Sequence, residues 1–368
     1  MKITAIRTRK LRQELDPPFF AAWDPVPRRH FDATLVEVHT DEGIVGIGSG
    51  DTMDGFAAYE ELFIGTDPLN IIEQVRRIET INFHAGRFWP LEVALWDIIG
   101  KAANMPVAQL FGGAERKILA YASTGELRTP EQRAESALAI REAGFRAMKI
   151  RVNPHDSRTG LAAVRAAREA VGDTMEIMVD LNQSWRMAGD TQVPADYVTA
   201  RRLIEQFRDL DVYWVEEPLP YVDRDGLRRL RAETGMRISG GEMISSLPEV
   251  IDYLEHDVLD IYQMDVVLAV GMHRARTLGE LAIAKNRRFT PHSWTNGIGV
   301  LANLHVSAGI GGGPYFEFPY DPPGWTPERR DFMLTRPVEV DTEGYLHVPD
   351  APGIGFELDE EACRRWAL

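Results

Sequence analysis

The chain has 368 residues, 44% hydrophobic and 26% charged, an ordinary balance for a soluble globular protein with room for more than one domain. Its formal net charge of −15 argues against a nucleic-acid partner, which calls for a basic face, and against an anionic membrane surface. One cysteine, Cys363, leaves no internal disulfide and no thiolate metal site; with no signal-like or membrane-length apolar run, the chain reads as cytoplasmic.

The first hundred residues are mixed. MKITAIRTRKL is strand-like, and ATLVEVHTDEGIVGIGSG reads as two strands around an Asp41-Glu42-Gly43 hairpin turn. Helical stretches follow near 70–79 and 89–103, the second, PLEVALWDIIGKAANM, with good helical periodicity. Residues 1–115 thus look like a small α+β domain. From about residue 118 the short apolar runs ILAYAS, FRAMKIRV, MEIMVDLN, VYWVEEP, RISGGE, LDIYQMD, RRFTPHS and GPYFEFP alternate with amphipathic pieces such as EQRAESALAIREAG and VPADYVTARRLIEQF. Eight strands separated by helices predict an α/β parallel barrel over 116–320.

Each run from the second onward carries a charged residue or histidine at or near its end: Lys149, Asp180, Glu216, Glu242, Asp265, His292 and Glu317, spaced 23 to 36 residues apart. In a barrel these strand ends meet at one mouth, where active sites lie. Asp180, Glu216 and Glu242 repel one another unless a cation neutralises them, and an all-oxygen set favours Mg²⁺ or Mn²⁺ over zinc. Lys149 and Arg151 share one strand face, where they would balance a substrate carboxylate. Asp265 and His292 fit a dyad in which the Asp fixes the tautomer and raises the basicity of the other ring nitrogen. Glu317 either donates to a substrate carboxylate as a neutral acid or accepts from a neighbour.

Lys149-Ile150-Arg151, Asp180 in VDLNQSW, Glu216 in WVEEP, Glu242 in GGE, Asp265 in YQMD, His292 in TPHS and Glu317, in this order, resemble the mandelate racemase subgroup of the enolase superfamily, as does PGIGFELDE near the C-terminus. The resemblance implies an N-terminal α+β capping domain, a modified (β/α)7β TIM barrel, and a C-terminal segment, 321–368, returning to the cap. It implies Mg²⁺ on Asp180, Glu216 and Glu242, a base that removes the proton α to a carboxylate, and a metal-stabilised enediolate. Asn182, two residues past the first ligand on the same strand face, is placed to reach the substrate. Multimeric relatives make a homo-oligomer the expectation.

Arg151 departs from the subgroup's common Lys-x-Lys, whose second lysine acts as a base. Arginine stays protonated, so His292 is left as the one confident base. Racemisation needs a base on each face and is disfavoured; cycloisomerases with paired lysines and no His dyad fit poorly. Dehydration of an acid sugar to a 2-keto-3-deoxy acid fits one base, with Lys149 and Arg151 holding the carboxylate. The alternatives are an epimerase with an unrecognised second base and a non-catalytic carboxylate-binding barrel. Substrate contacts are expected from 19–31 and 50–56, with Trp23, Arg28, Arg29 and His30 as candidates, and secondarily from His84, Arg87 and 321–331.

Overall fold

The computed structural model describes residues 1–368, the side chain of Ala85 excepted. Three antiparallel strands, β1 (Ile3–Phe19), β2 (Arg28–Thr40) and β3 (Val45–Gly48), open the chain, joined in the order β1-β2-β3. Both outer ends run further than local sequence suggests. Residues 28–31, expected in a loop, pair with β1, Phe19 facing Arg28 and Gln13 facing Phe31. Helices α1 (Ile71–Ala85) and α2 (Trp89–Ala103) cover this sheet. Strand β3 approaches α2 so closely that a Cβ on Gly48 would lie 2.0 Å from the Pro90 carbonyl oxygen, so the contact requires glycine.

A short helix, α3 (Val107–Leu110), leads into the barrel. Its strands are β4 (Lys117–Ser123), β5 (Ala147–Arg151), β6 (Glu176–Asp180), β7 (Val212–Glu216), β8 (Ile238–Gly240), β9 (Ile261–Tyr262), β10 (Arg288–Phe289) and β11 (Tyr315–Pro319). All pair in parallel, in sequence order, with β11 beside β4. The seven crossovers are α4 (Pro130–Glu142), α5 (Ser157–Val171), α6 (Tyr197–Arg208), α7 (Arg224–Thr234), α8 (Leu247–Glu255), α9 (Met272–Ala284) and α10 (Gly297–Ile310), giving the expected (β/α)7β order. Between β10 and β11 no ladder forms among the described residues; the Gly313 N–H donates to the Phe289 carbonyl across the seam at 2.9 Å.

Strand alternation sorts the barrel into layers. Met148, Ile150, Ile177, Val179 and Val215 face outward to the helices. Tyr121, Ala147, Met178, Trp214 and Ile261 pack together inside the barrel. Two residues further along the strands come Ser123, Lys149, Asp180, Glu216 and, two beyond Tyr315, Glu317, all buried. An apolar plug therefore carries a charged layer on its upper side. The C-terminal segment adds β12 (Tyr345–His347), antiparallel to β4, then α11 (Pro327–Arg330) before it and α12 (Glu360–Arg365) after it. Its last residues reach β1: the Leu368 N–H donates to the Lys10 carbonyl at 3.0 Å, and Arg9 pairs with Glu360 at 2.8 Å. Among the described residues no helix is long and apolar enough to cross a membrane.

Cap and barrel are locked by α2. Glu92, fully buried, accepts from the Met272 and His273 N–H groups at the start of α9 and from Trp96 Nε1, while Trp89 Nε1 donates to the Ala269 carbonyl at 3.0 Å. Burial raises the Glu92 carboxyl from 4.5 to about 7, more than these donors lower it. The folded protein therefore keeps a proton that the unfolded chain has lost, and this contribution to stability falls as pH rises through that window. Urea denaturation should show Glu92→Gln losing this slope, a relative gain of about 3 kcal/mol on going from the acid to the neutral side of the window.

Candidate active site

Lys149 occupies the centre of the charged layer, with none of its side chain exposed. Its ammonium lies 2.5 Å from Glu216 Oε1, 2.7 Å from Glu317 Oε1 and 3.3 Å from Asp180 Oδ2. Burial alone would lower the lysine's pKa, but Glu216 and Glu317 outweigh it and hold it charged. Glu317 also accepts from Ser123 Oγ and the Ser293 N–H, both at 2.7 Å. Burial would raise its carboxyl, yet Lys149, His292 and Arg151 bring it down to about 2. Glu317 is thus an ionised acceptor, not the neutral donor that the sequence also allowed.

Arg151 closes the layer on the chamber side. Its Nη1 donates to Asp180 Oδ2 and Asn182 Oδ1, and its Nε donates to the Thr124 carbonyl at 2.9 Å. The guanidinium lies 4.7 Å from the Trp23 ring centroid and 5.8 Å from that of Trp294, within cation–π range. Burial opposes its charge, but Asp180, Glu216 and Glu317 keep it protonated.

His292 and Asp265 form a dyad at 2.8 Å from Nδ1 to Oδ2. The other Asp265 oxygen accepts from the Val267 N–H at 2.7 Å and from Asn303 Nδ2 at 3.3 Å, which fixes the carboxylate. Nδ1 therefore carries a proton and Nε2 is the atom left for exchange. Nε2 lies 3.6 Å from Glu242 Oε2. Burial lowers His292, but Glu242, Glu317 and Asp265 together raise it to about 9. The other buried histidine, His305, is held down at about 4 by burial; its ring spans the Ala108 N–H and the Ile354 carbonyl, a structural role.

Six buried carboxyl groups, those of Asp180, Glu216, Glu217, Glu242, Asp265 and Glu317, face two permanent cations, Lys149 and Arg151. The shortfall is visible. Burial, with Asp180, Glu317 and Glu242 nearby, pushes Glu216 up to about 8 despite Lys149. Burial also raises Glu242, and its Oε2 has no hydrogen-bond partner, while Oε1 accepts from Trp185 Nε1 at 2.7 Å. Asp180 and Glu216 instead lean on Lys149 and Arg151, and among the described residues no three ligand side chains converge with coordination geometry. The donor chemistry, three hard oxygens with excess negative charge and one orphaned oxygen, fits a hard divalent cation.

Above the layer lies a chamber of about 380 Å³ between cap and barrel. Of the residues expected to contact substrate, Trp23, Arg28, Arg151, Asn182 and His292 line it, as does Arg87. Asn182 does so from a left-handed turn, φ 46°, beyond the end of β6 rather than from the strand face. Lys149 is not among the residues lining the chamber; its side chain is fully buried beneath the floor. Arg29 and His30, successive residues of β2, are exposed and outside the chamber. His84 is likewise exposed and outside. The 321–331 segment stands behind the wall, where Trp325 packs on Phe19 and Trp294. Glu217, Trp185, Trp294 and Asp51 were not singled out from sequence, although Asp51 lies in the expected 50–56 segment, Trp185 ends VDLNQSW and Glu217 is the second acid of WVEEP.

The chain matches the family model for the mandelate racemase/muconate lactonizing enzyme N-terminal domain over residues 3–112, and that for the enolase C-terminal domain-like fold over 132–362. It belongs to the enolase superfamily, in the mandelate racemase/muconate lactonizing enzyme family. A D-galactarolactone cycloisomerase of Agrobacterium fabrum is 30% identical, with 100% of this chain and 99% of that protein covered. An L-talarate/galactarate dehydratase of Salmonella typhimurium is 27% identical over 90% of this chain and 81% of its own length. The crystal structure of a racemase from Streptomyces coelicolor with bound magnesium superposes with a TM-score of 0.84 at 26% identity, covering 100% of both chains. Relatives of this enzyme include acid sugar dehydratases, cycloisomerases, racemases and epimerases, among them enzymes acting on small carboxylates.

The charged layer makes a direct prediction. Lys149→Met strips the one cation shared by three buried carboxylates, and guanidinium denaturation without added metal should report a loss of about 3–5 kcal/mol.

Proposed function

We propose that this enzyme is an acid sugar dehydratase, which removes the proton α to a carboxylate and expels the β-hydroxyl to give a 2-keto-3-deoxy acid. One observation carries the reading. His292 is the histidine that faces the chamber, no lysine lines it, and the second basic position of β5 is Arg151, a permanent cation. The chamber thus holds one imidazole base and no lysine partner for it.

Asp180, Glu216 and Glu242 would hold Mg²⁺. Bound there, the ion supplies stabilisation of the charge that builds on the substrate carboxylate, and offsets the acidic field that raises His292. The remaining work falls to the chain. Arg151, fixed by Thr124, Asp180 and the two indoles, orients the carboxylate. His292 Nε2 takes the α-proton, and the electron pair passes into the carboxylate as an enediolate. The pair then returns to form the carbon–carbon double bond as the β-carbon–oxygen bond breaks. The departing hydroxide takes a proton, which His292 now carries, and leaves as water. The resulting enol becomes the keto acid. Asp265 keeps Nε2 as the exchanging atom throughout.

Ring opening of a sugar lactone is a second reading, favoured by the full-length likeness to a D-galactarolactone cycloisomerase. It needs the same two bond changes, with the ring oxygen leaving in place of hydroxide. Epimerisation differs, because it returns the proton to the opposite face.

The test is a screen with Mg²⁺ against sugar acids and their lactones, trapping keto acids with semicarbazide. His292→Asn should lower keto acid formation by at least about 10²- to 10⁴-fold and abolish α-proton exchange in deuterium oxide. Exchange that survives the substitution would reassign the base; deuterium in a recovered epimer would replace the dehydratase with an epimerase.

A further inference from the structure

The cap's side of the chamber presents Arg28, Asp32, Thr34, Asp51, Thr52 and Arg87. Each cation in this wall already has a carboxylate of its own. Arg28 gives both Nε and Nη2 to Asp24. Arg87 holds Asp51 Oδ2 through Nε at 3.0 Å and the Leu268 carbonyl through Nη1 at 3.0 Å. Asp32 is clamped by Arg12 at 2.7 and 2.6 Å. Of the two acids that line this wall, Asp51 is more enclosed than Asp32, its side chain 10% exposed against 47%, and its Oδ1 accepts from the Thr52 N–H at 2.7 Å. The preceding Gly50 pins it there. Its φ is +126°, and a Cβ would meet Val267 at 2.7 Å, so the turn is pressed onto the barrel.

A second carboxylate arriving at this wall would lose its water against Asp51 and Asp32 and would meet only arginines already shared with carboxylates, Arg87 with Asp51 and Arg28 with Asp24, an unfavourable exchange. Hydroxyl groups meet no such obstacle. An arginine–carboxylate pair offers donors and acceptors together, Thr34 and Thr52 add hydroxyls, and the indoles of Trp23 and Trp185 offer flat faces to carbon–hydrogen edges. We infer that the chamber takes a substrate with a single carboxylate and a neutral polyhydroxyl end against the cap, and that Asp51 is the specificity-determining residue because it holds Arg87. The assignment rests on the proposed function in one respect: the reacting carboxylate is the end placed at Arg151 and His292.

Calorimetric titration of the whole protein with Mg²⁺ tests it by binding, independently of turnover. The ligands are pentonic and hexonic acids and aldaric monolactones, each carrying one charge, against the matching aldaric acids, which carry two. Titrations are run near pH 8, well above the value of about 6 to which burial raises Asp51. Singly charged ligands should bind at least about tenfold more tightly than their doubly charged partners. Asp51→Asn, which frees Arg87 while keeping the side-chain shape, should narrow or reverse that ratio by about tenfold. Arg87→Met, which leaves Asp51 charged and alone, should widen it, and decides the matter if Asp51→Asn does not fold. Diacids that bind as well as or better than monoacids, or ratios unmoved by both substitutions, overturn the assignment. Binding of monoacids with no keto acid formed supports it and overturns the dehydratase reading instead. Binding by neither series overturns both.

Discussion

Everything at the mouth of this barrel depends on how negative charge is held in a dry place. Lys149 stands where β5, β6, β7 and β11 bring their inward side chains together, and its one charge is divided among Asp180, Glu216 and Glu317. The division is unequal. Glu317, with two further donors, is stabilised as an anion, while Glu216 remains closer to its neutral form. In a low-dielectric interior an uncompensated carboxylate is costly, so this layer is stable only with cations packed into it. Arg151 supplies the second one at the chamber face, and a deficit remains, marked by the unpartnered Glu242 oxygen, whose chemistry fits a divalent cation.

The chamber itself belongs to neither domain. Its floor comes from the barrel's strand ends and its wall from the cap's first hairpin and the turn after β3. Such a joint holds substrate in a defined place only if cap and barrel keep their relation, and three buried contacts serve that end. Glu92 caps the start of α9, Trp89 donates to the chain just before it, and Asn296, at the start of α10, donates to Ser49 Oγ at 2.8 Å. The aromatic cluster of Phe19, Trp23, Trp294 and Trp325 fills the opposite side and presses on the Arg151 guanidinium. The same indoles that orient Arg151 therefore shape the space beside it, so binding geometry and charge placement are one piece of packing.

Dehydration, lactone opening and epimerisation all begin with loss of the α-proton, and a shared layer of metal-type acids suits all three. They diverge at the next step, the fate of the enediolate, which is decided by the groups that face the α- and β-carbons. Here the imidazole of His292 faces the chamber from the barrel, the second basic position of β5 is an arginine, and the cap contributes hydroxyls and arginines that are shared with carboxylates.

How far this could be read in advance depends on the range of the forces involved. The eight strands, their order and the residues at their ends were legible in the sequence, because side-chain alternation and helical periodicity are local and the strand-to-strand spacing repeats. The His292–Asp265 pairing followed from that spacing once a barrel was assumed, as did the placing of Asp180, Glu216 and Glu242 at one mouth, although their carboxylates do not converge on one point. Depth was not legible. Lys149 and Arg151 share a face by alternation, but only the closed barrel puts one beneath the floor and the other in the chamber. Glu217 should point away from Glu216 by the same alternation, yet a left-handed φ of 47° turns the chain, and both carboxyls are buried. Arg29 and His30 looked like chamber residues until β2 was seen to begin at Arg28. The pairing of Asp51 with Arg87, and of Arg28 with Asp24, left no trace in composition or period. By itself the sequence determined the barrel and the chemical character of its mouth, since both arise from short-range pattern; which charges are free to meet a substrate was decided by tertiary structure, because ion pairing and desolvation depend on what folds against each side chain.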